Sequence, residues 1–440
     1  MRQLVYATCL LVLAWSTPSQ ATVKGDPFAE AETDAFSDFS NLEVEEYPFQ
    51  LGGYLEFRNN LVINDREEPN SIRQRLRLES KWKKDSLSFF GSVDADQELA
   101  AVKWKGDGHR TRGINLREAY AMYDTDHVDM FIGRKIQRWG TGDGINPMDV
   151  INPLDILDPI STGRADNRLP VFMTGAVVTI EDWNIEGVIL PKARVSDLPR
   201  HGNPWEPRAL KQIRQQESQG LLVLNKADKP DQWLTDGEFG GRISTTAKGW
   251  DIAALAFHGH VNSPVLKTDN QGGTLKLTPE YPEFTAYGIT VATGLESNTL
   301  RGEVAWKPDY PYQCAKTGKA MRSDLVQAVL GWDYNLDSKY YFNVQGFVDA
   351  YGLDSSRPYW QHGITYEVSG KWADDILSLG IRGKLHTDGE GALTEFFTDY
   401  ALTDNWKLLT GVMIWSGPQG GVLGQYDDND YVYVTLRYSF

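Results

Sequence analysis

The chain has 440 residues, a formal net charge of -16 and two cysteines, Cys9 and Cys314. The acidic balance argues against nucleic acid as a partner, and a single cysteine outside the N-terminal apolar run excludes a disulfide-stapled scaffold. A mean hydropathy of -0.42 does not exclude a membrane protein, because a transmembrane β-barrel alternates apolar and polar residues and its average stays low.

Residues 1–21, MRQLVYATCLLVLAWSTPSQA, carry Arg2, an apolar run from Leu4 to Trp15, and small residues at Ser19 and Ala21. That pattern reads as a secretory signal with cleavage before Thr22, too short for a membrane helix. Cys9 lies inside the apolar run, so no lipoprotein anchor is expected. Residues 22–46 hold eight acids (Asp26, Glu30, Glu32, Asp34, Asp38, Glu43, Glu45 and Glu46) against Lys24 alone. They are expected to form an acidic periplasmic arm. It is either a disordered tether or a segment that enters a basic lumen or binds a periplasmic partner.

From residue 47 onward, apolar and polar residues alternate with period two in eighteen segments. They lie near 47–63, 72–83, 86–97, 113–124, 126–136, 171–182, 184–192, 236–247, 249–260, 283–296, 298–308, 323–336, 339–350, 360–372, 375–386, 391–402, 404–416 and 429–440. Each has about the length that a tilted strand needs to cross a bilayer. Tight turns, at Lys84-Asp85, Thr125, Trp183, Lys248, Ser297, Asp337, Ala373 and Thr403, alternate with longer connections. Short periplasmic turns and long extracellular loops are the pattern of outer-membrane barrels. The expected fold is therefore all-β, a closed antiparallel transmembrane barrel over 47–440 of about 18 strands, with 16 or 14 as alternatives. Both ends of the barrel strand series lie on the periplasmic side, and loop 193–235 is the longest.

The strands with the clearest alternation also show what faces inward. In SIRQRLRLESKW, Ile72, Leu76, Leu78 and Trp82 share one face; Arg73, Arg75, Arg77, Glu79 and Lys81 share the other. TLRGEVAWK turns Arg301, Glu303 and Lys307 inward, and ILSLGIRGKLH turns Arg382, Lys384 and His386 inward. Adding Glu56, Arg58 and Arg437 gives a lumen richer in bases than in acids. Such a wall concentrates anions. The alternative is that these bases pair with carboxylates and fill space.

The stretch RWGTGDGINPMDVINPLDILDP, residues 138–159, breaks the alternation and repeats Ile-Asn-Pro-x-Asp from Ile145 and Ile151. Asn146 and Asn152 are suited to cap short helical turns with proline in the first position. Ile145, Val150, Ile151, Leu154, Ile156 and Leu157 are more apolar surface than a solvated loop carries. Loop 137–170 is thus expected either to fold inward as a constriction or to cap the rim. As a constriction it would set Asp143, Asp149, Asp155 and Asp158 against the lumen arginines. The acids here, with Asn146 and Asn152, could also offer oxygens to Ca²⁺, as could Asp427, Asp428, Asn429 and Asp430. The spacing is not that of an EF-hand, and no cofactor is required.

The phrase GRKIQRWGTGDGINPMDVINPLD resembles a WG-x-x-D…NP-x-D pattern of little-characterised bacterial outer-membrane barrels. Those are loosely similar to alginate-export porins. The resemblance spans about 25 residues and implies an 18-stranded, arginine-lined conduit for an anionic polymer. The chain end, DYVYVTLRYSF, puts Val432, Val434, Leu436, Tyr438 and Phe440 on one face. It resembles the C-terminal strand by which the barrel-assembly machinery recognises outer-membrane proteins, with Tyr438 and Phe440 as the assembly signal.

Three functions follow. The first is an outer-membrane, porin-type channel for small or polymeric anionic solutes, seated in outer-membrane lipid, monomeric or a homo-oligomer, with no chemistry of its own. The second is a barrel hydrolase built on His258 and His260 of FHGH. It lacks both a G-x-S-x-G elbow and an H-E-x-x-H helix. The third is a structural or adhesive barrel; it attaches no c-type haem, since C-x-x-C-H is missing.

Overall fold

The computed structural model describes residues 48–63, 69–100, 113–142, 144–157, 167–199, 201–271, 274–314, 318–353 and 358–440. In chain order the strands are β1 (Phe49–Val62), β2 (Pro69–Lys84), β3 (Leu87–Glu98), β4 (Gly113–Asp124), β5 (Val128–Lys135), β6 (Val171–Ile180), β7 (Trp183–Leu190), β8 (Leu222–Leu224), β9 (Glu238–Ala247), β10 (Trp250–His260), β11 (Val265–Gln271), β12 (Thr274–Glu280), β13 (Glu283–Leu295), β14 (Asn298–Gln313), β15 (Ala320–Leu336), β16 (Tyr340–Tyr351), β17 (Tyr359–Trp372), β18 (Leu377–His386), β19 (Gly391–Ala401), β20 (Trp406–Ser416) and β21 (Tyr431–Ser439). Eighteen of them form one antiparallel sheet; β8, β11 and β12 form a separate small one. The large sheet closes because β1 pairs with both β2 and β21. Glu56 sits opposite Arg75 on one side and Arg437 on the other. The backbones of Gly53 and Phe440 exchange two hydrogen bonds of 3.0 Å at the seam.

Alternation places charge inside and hydrocarbon outside. Arg58, Arg73, Arg75, Arg77 and Glu303 are buried, whereas Leu51, Ile132, Ile185, Ile289, Val304, Leu330 and Val434 are exposed. That inverts the distribution of a water-soluble protein and fits a wall bathed in lipid. Trp406 packs on Tyr438 at 4.9 Å, Trp82 on Phe89 at 5.5 Å and Tyr340 on Trp372 at 6.1 Å, all near the short turns. Aromatic side chains collect at such membrane interfaces. Tyr438 also packs on Phe440 at 6.1 Å, so the proposed assembly residues are part of this belt.

The short turns use the left-handed backbone that matches the twist of paired strands. Lys248 and Gly249 have φ of 54° and 80°, and Asp337 and Ser338 both have 54°. All eighteen expected strands are present. The largest departure is β14, which continues five residues past the expected end at 308. Pro308 and Pro311 read as breakers, since proline lacks the ladder donor. A bulge between Lys307 and Tyr310 absorbs Pro308 and Asp309.

Two of the long connections carry structure of their own. Loop 193–235 contains helix α1 (Arg208–Ser218) and β8, and 265–280 folds into the hairpin β11–β12, whose second strand pairs in parallel with β8. The acidic arm 22–46, Asp143 and Asp158 lie outside the described residues.

Two predictions test this topology. In whole cells the variant D337C in a Cys314→Ser background should react with a membrane-impermeant thiol reagent only after the outer membrane is permeabilised, whereas the native Cys314, between β14 and β15, should react from outside. The reverse pattern would invert the barrel. Deleting Phe440 should lower the amount of heat-modifiable barrel in the outer membrane and leave unfolded chain in the periplasm; normal amounts would remove Phe440 from the assembly signal.

Candidate functional site

The barrel interior holds two chain segments that cross it. The first is 139–151, Asp143 lying outside the described residues, in the loop between β5 and β6. Trp139, Met148, Val150 and Ile151 are buried in a cluster with the inward side chains Phe131, Met173, Leu190, Leu255, Phe257 and Phe284. Gly288 on β13 leaves room for Met148: an added Cβ would lie 2.5 Å from its Cγ. Beyond this cluster the segment reaches the far wall. Glu303 on β14 accepts hydrogen bonds from Met148 N (2.5 Å) and Thr141 N (3.0 Å). Gln345 on β16 accepts from Gly144 N at 3.0 Å and donates to Ile145 O at 2.6 Å. A Cβ on Gly144 would come within 2.6 Å of Thr365 on β17. In sheet order β17 is eight strands round the ring from β6, close to diametrically opposite. The segment is therefore an inward fold and not a rim cap.

Its stems are tied by Asn152, which is almost fully buried. The Asn152 side chain accepts from Gln137 N at 2.7 Å and donates to Lys135 O at 3.2 Å and Leu169 O at 3.0 Å. It staples the two ends of the loop and starts no helical turn, which corrects that expectation. Asn146 heads a single turn, its carbonyl accepting from Asp149 N at 3.2 Å. Asp149 accepts from Arg168 Nε at 2.7 Å, so its partner is the loop's own arginine. Asp155 accepts from Leu157 N at 3.1 Å and lies in a bridge with Asp197. Asp149 and Asp155 thus both have partners within the loop.

The second crossing segment is 195–207, from the loop between β7 and β9. Ile156 N donates to Asp197 O at 2.9 Å and Asp197 N to Leu154 O at 3.0 Å, which join it to the first. Trp205 is then buried against the inward side chains Met413, Trp415, Tyr431 and Tyr433 of β20 and β21. Trp205 lies 5.6 Å from the rings of both Trp415 and Tyr426. Burial pushes the Tyr426 hydroxyl up to about 12. Arg208 N donates to Gln425 at 3.0 Å and Asn429 Nδ2 to Pro204 O at 3.0 Å, fixing the far end. Burial also raises Asp430 above the usual carboxylate range, with Asp427 and Asp428 adding to the effect.

The inward bases carry acids beside them. Arg73 binds Asp96 through two bonds of 2.8 and 2.9 Å, Arg75 reaches the same carboxylate at 3.3 Å, and Arg77 binds Asp94 at 2.7 and 2.9 Å. Arg301 lies 2.8 Å from Asp333, Arg382 2.5 Å from Glu395 and Arg437 2.6 Å from Glu56. Lys307 donates to Gln327 at 2.6 Å, and Lys384 sits 5.0 Å over the Phe347 ring. Arg58 lies opposite Arg73 and Thr435 and is almost fully buried. Of the nine bases, Arg58, Arg73, Arg75, Arg77 and Lys307 are among the buried residues. The partners Asp94, Asp96, Asp333 and Glu395 went uncounted because they sit on strands of weaker alternation. Glu303 was read as one more inward charge; its role as the dock of the crossing segment leaves no local trace.

His258 lies opposite Phe239, on the outer side of β10, with Nδ1 3.0 Å from Thr285 Oγ1. His260 has Glu238 at 3.4 Å. Glu283 also lies 3.8 Å from His258 and 3.9 Å from His260. Among the described residues no group of three His, Cys, Asp or Glu is arranged to hold a metal.

Fold and burial together define a closed eighteen-strand antiparallel β-barrel with an apolar outer face. The chain belongs to a family described as "Protein of unknown function (DUF1302)", which matches residues 63–406. No curated protein matches it. Among solved structures it is similar to Salmonella typhi OmpF in complex with daunomycin, at 8% identity and TM-score 0.45, over 90% of this chain and 100% of that one. It is similar to a Rh. blastica porin mutant, at 12% and 0.43, over 89% and 100%. Pseudomonas aeruginosa OccK11 (OpdR) matches at 10% and 0.49, over 89% and 95%.

Glu303→Ala would leave the N–H groups of Thr141 and Met148 without their acceptor, at about 1–3 kcal/mol each. The crossing segment should loosen, and single-channel current should become larger and noisier. A quiet, unchanged current would mean that the segment does not border the path.

Proposed function

We propose that the protein is a channel of the bacterial outer membrane for small solutes, anions among them. The two crossing segments narrow its path. The observation that carries this reading is segment 139–151 lying across the lumen. An eighteen-strand barrel is too wide for its own side chains to fill, and the two crossing segments narrow such a space. The inward side chains Arg301, Arg382 and Arg437 keep 27, 23 and 28% of their surface exposed, which is consistent with a wet interior. Bases paired with acids give a field of near-balanced charge, so anion preference is modest. A polymeric anion, implied by the alginate-export resemblance, would have to thread past both segments; small solutes fit this geometry better.

Reversal potentials in planar bilayers test the reading. Replacing Arg73, Arg75 and Arg77 by Gln leaves Asp94 and Asp96 uncompensated and should shift selectivity toward cations. Asp149→Asn releases Arg168 and should shift it toward anions. Both effects should fade as the Debye length falls from about 30 Å at 0.01 M salt to about 3 Å at 1 M. Unchanged potentials in both variants at low salt would place neither group on the path, and absence of any current would favour a structural barrel.

A further inference from the structure

Beyond the dock of the crossing segment, the inner wall of β14 to β18 changes character. Glu303, Gln345 and Thr365 hold the segment. Four residues further along the strands toward the long loops, Lys307, Asp349 and Gln361 face inward, with Gln327 paired to Asp349. That step is about 14 Å at 3.4 Å per residue. One row higher, Tyr351 and Tyr359 form a cross-strand pair. Their rings lie 5.9 Å apart, and Tyr312 joins the chain 4.8 Å from Tyr351. All three tyrosines are half-buried, so part of each side chain stays exposed.

Hydrogen-bonding groups run beneath the rings. Lys307 Nζ donates to Gln327 Oε1 at 2.6 Å, and Gln327 Nε2 donates to Asp349 Oδ1 at 2.9 Å. Gln361 Nε2 donates to the Tyr359 hydroxyl at 3.1 Å. The two nearby cations, Lys307 and Lys384, have three carboxylates near them, Asp349, Glu303 and Asp388, so no positive charge is in excess. The wall therefore selects no ionic ligand. Donors and acceptors alternate along it, and a hydroxyl is both at once. Flat, partly exposed aromatic faces accept the C–H face of a ring while the polar row takes its edge.

We propose that this wall is a binding subsite for a saccharide, with the sugar ring stacked on the Tyr312, Tyr351 and Tyr359 chain and its hydroxyls on Gln327, Asp349 and Gln361. The proposal rests on the channel reading and names the substrate class of that channel. An aryl carboxylate would stack equally well but would meet no excess of positive charge.

The full-length protein in detergent is titrated calorimetrically with maltotriose, diacetylchitobiose and benzoate, and the same probes are added to the bilayer current. At least one saccharide should bind in the millimolar range and reduce the current. Tyr351→Ala should weaken that binding about tenfold, the effect of losing one aromatic stack, while Tyr351→Phe keeps it within about threefold. Asp349→Asn should weaken it too. Heat-modifiable migration reports whether each variant has folded; if Tyr351→Ala has not, Tyr359→Ala takes its place. A conducting channel that binds neither sugar overturns the subsite, as do tighter binding of benzoate than of either sugar and sugar binding indifferent to the tyrosine losses. A protein that binds a sugar yet carries no current would sink the channel reading and leave the subsite standing.

Discussion

Hydrocarbon offers no partner to a backbone N–H or C=O, so a strand that enters a membrane must have both edges paired by protein. The remaining architecture depends on that constraint. It forces β1 onto β21, where Glu56 and Arg437 meet across the seam at 2.6 Å. Eighteen strands closed in this way enclose a space wider than side chains can bridge. Charge therefore faces inward, and every inward charge needs a counterpart on a neighbouring strand.

The chain answers the excess of space with its own loops. A loop brought into the lumen carries backbone groups that lose water as surely as those in lipid, and each needs an acceptor or donor. Glu303, Gln345 and Asn152 supply these from side chains. The contacts of Glu303 are charge-assisted because a carboxylate accepts the N–H groups, and the two amides each accept and donate at once. Glu303 and Gln345 share strands β14 and β16 with Lys307 and Asp349 of the row beneath the tyrosine chain, so the crossing segment and the wall are carried by the same strands.

The eighteen strands were legible because their signal is local. Period two needs only a run of neighbours, and Ile72, Leu76, Leu78 and Trp82 announce the outer face of β2 without knowledge of any other strand. The inward identity of Arg73, Arg75 and Arg77 followed from the same pattern. Their neutralisation did not, because Asp94 and Asp96 belong to another strand and only register brings them adjacent. The 138–159 stretch advertised burial through its apolar residues. Its aspartates suggested the lumen arginines, yet Arg168, nearer along the chain, takes Asp149. Asn152 fits a helix cap by sequence, but three backbone groups from both loop stems reach it first. Docking by Glu303 depends on a residue 155 positions away. Helix α1 and the small sheet went unseen because they are short and their partners are distant.

The joined crossing segments also constrain how the chain reaches its final form. Their contacts are among the most remote in the molecule: Gly144 and Gln345 are 201 residues apart, and Arg208 and Gln425 are 217. Such separations give a high contact order, which slows folding because long chain loops must close before the contact forms. Segment 139–151 cannot find its dock until β14 and β16 exist, and Trp205 cannot find its nest until β20 and β21 do. The ring is thus finished around its contents. Order of synthesis and order of consolidation diverge here: the segments made in the first half of the chain stay uncommitted until the second half arrives to hold them.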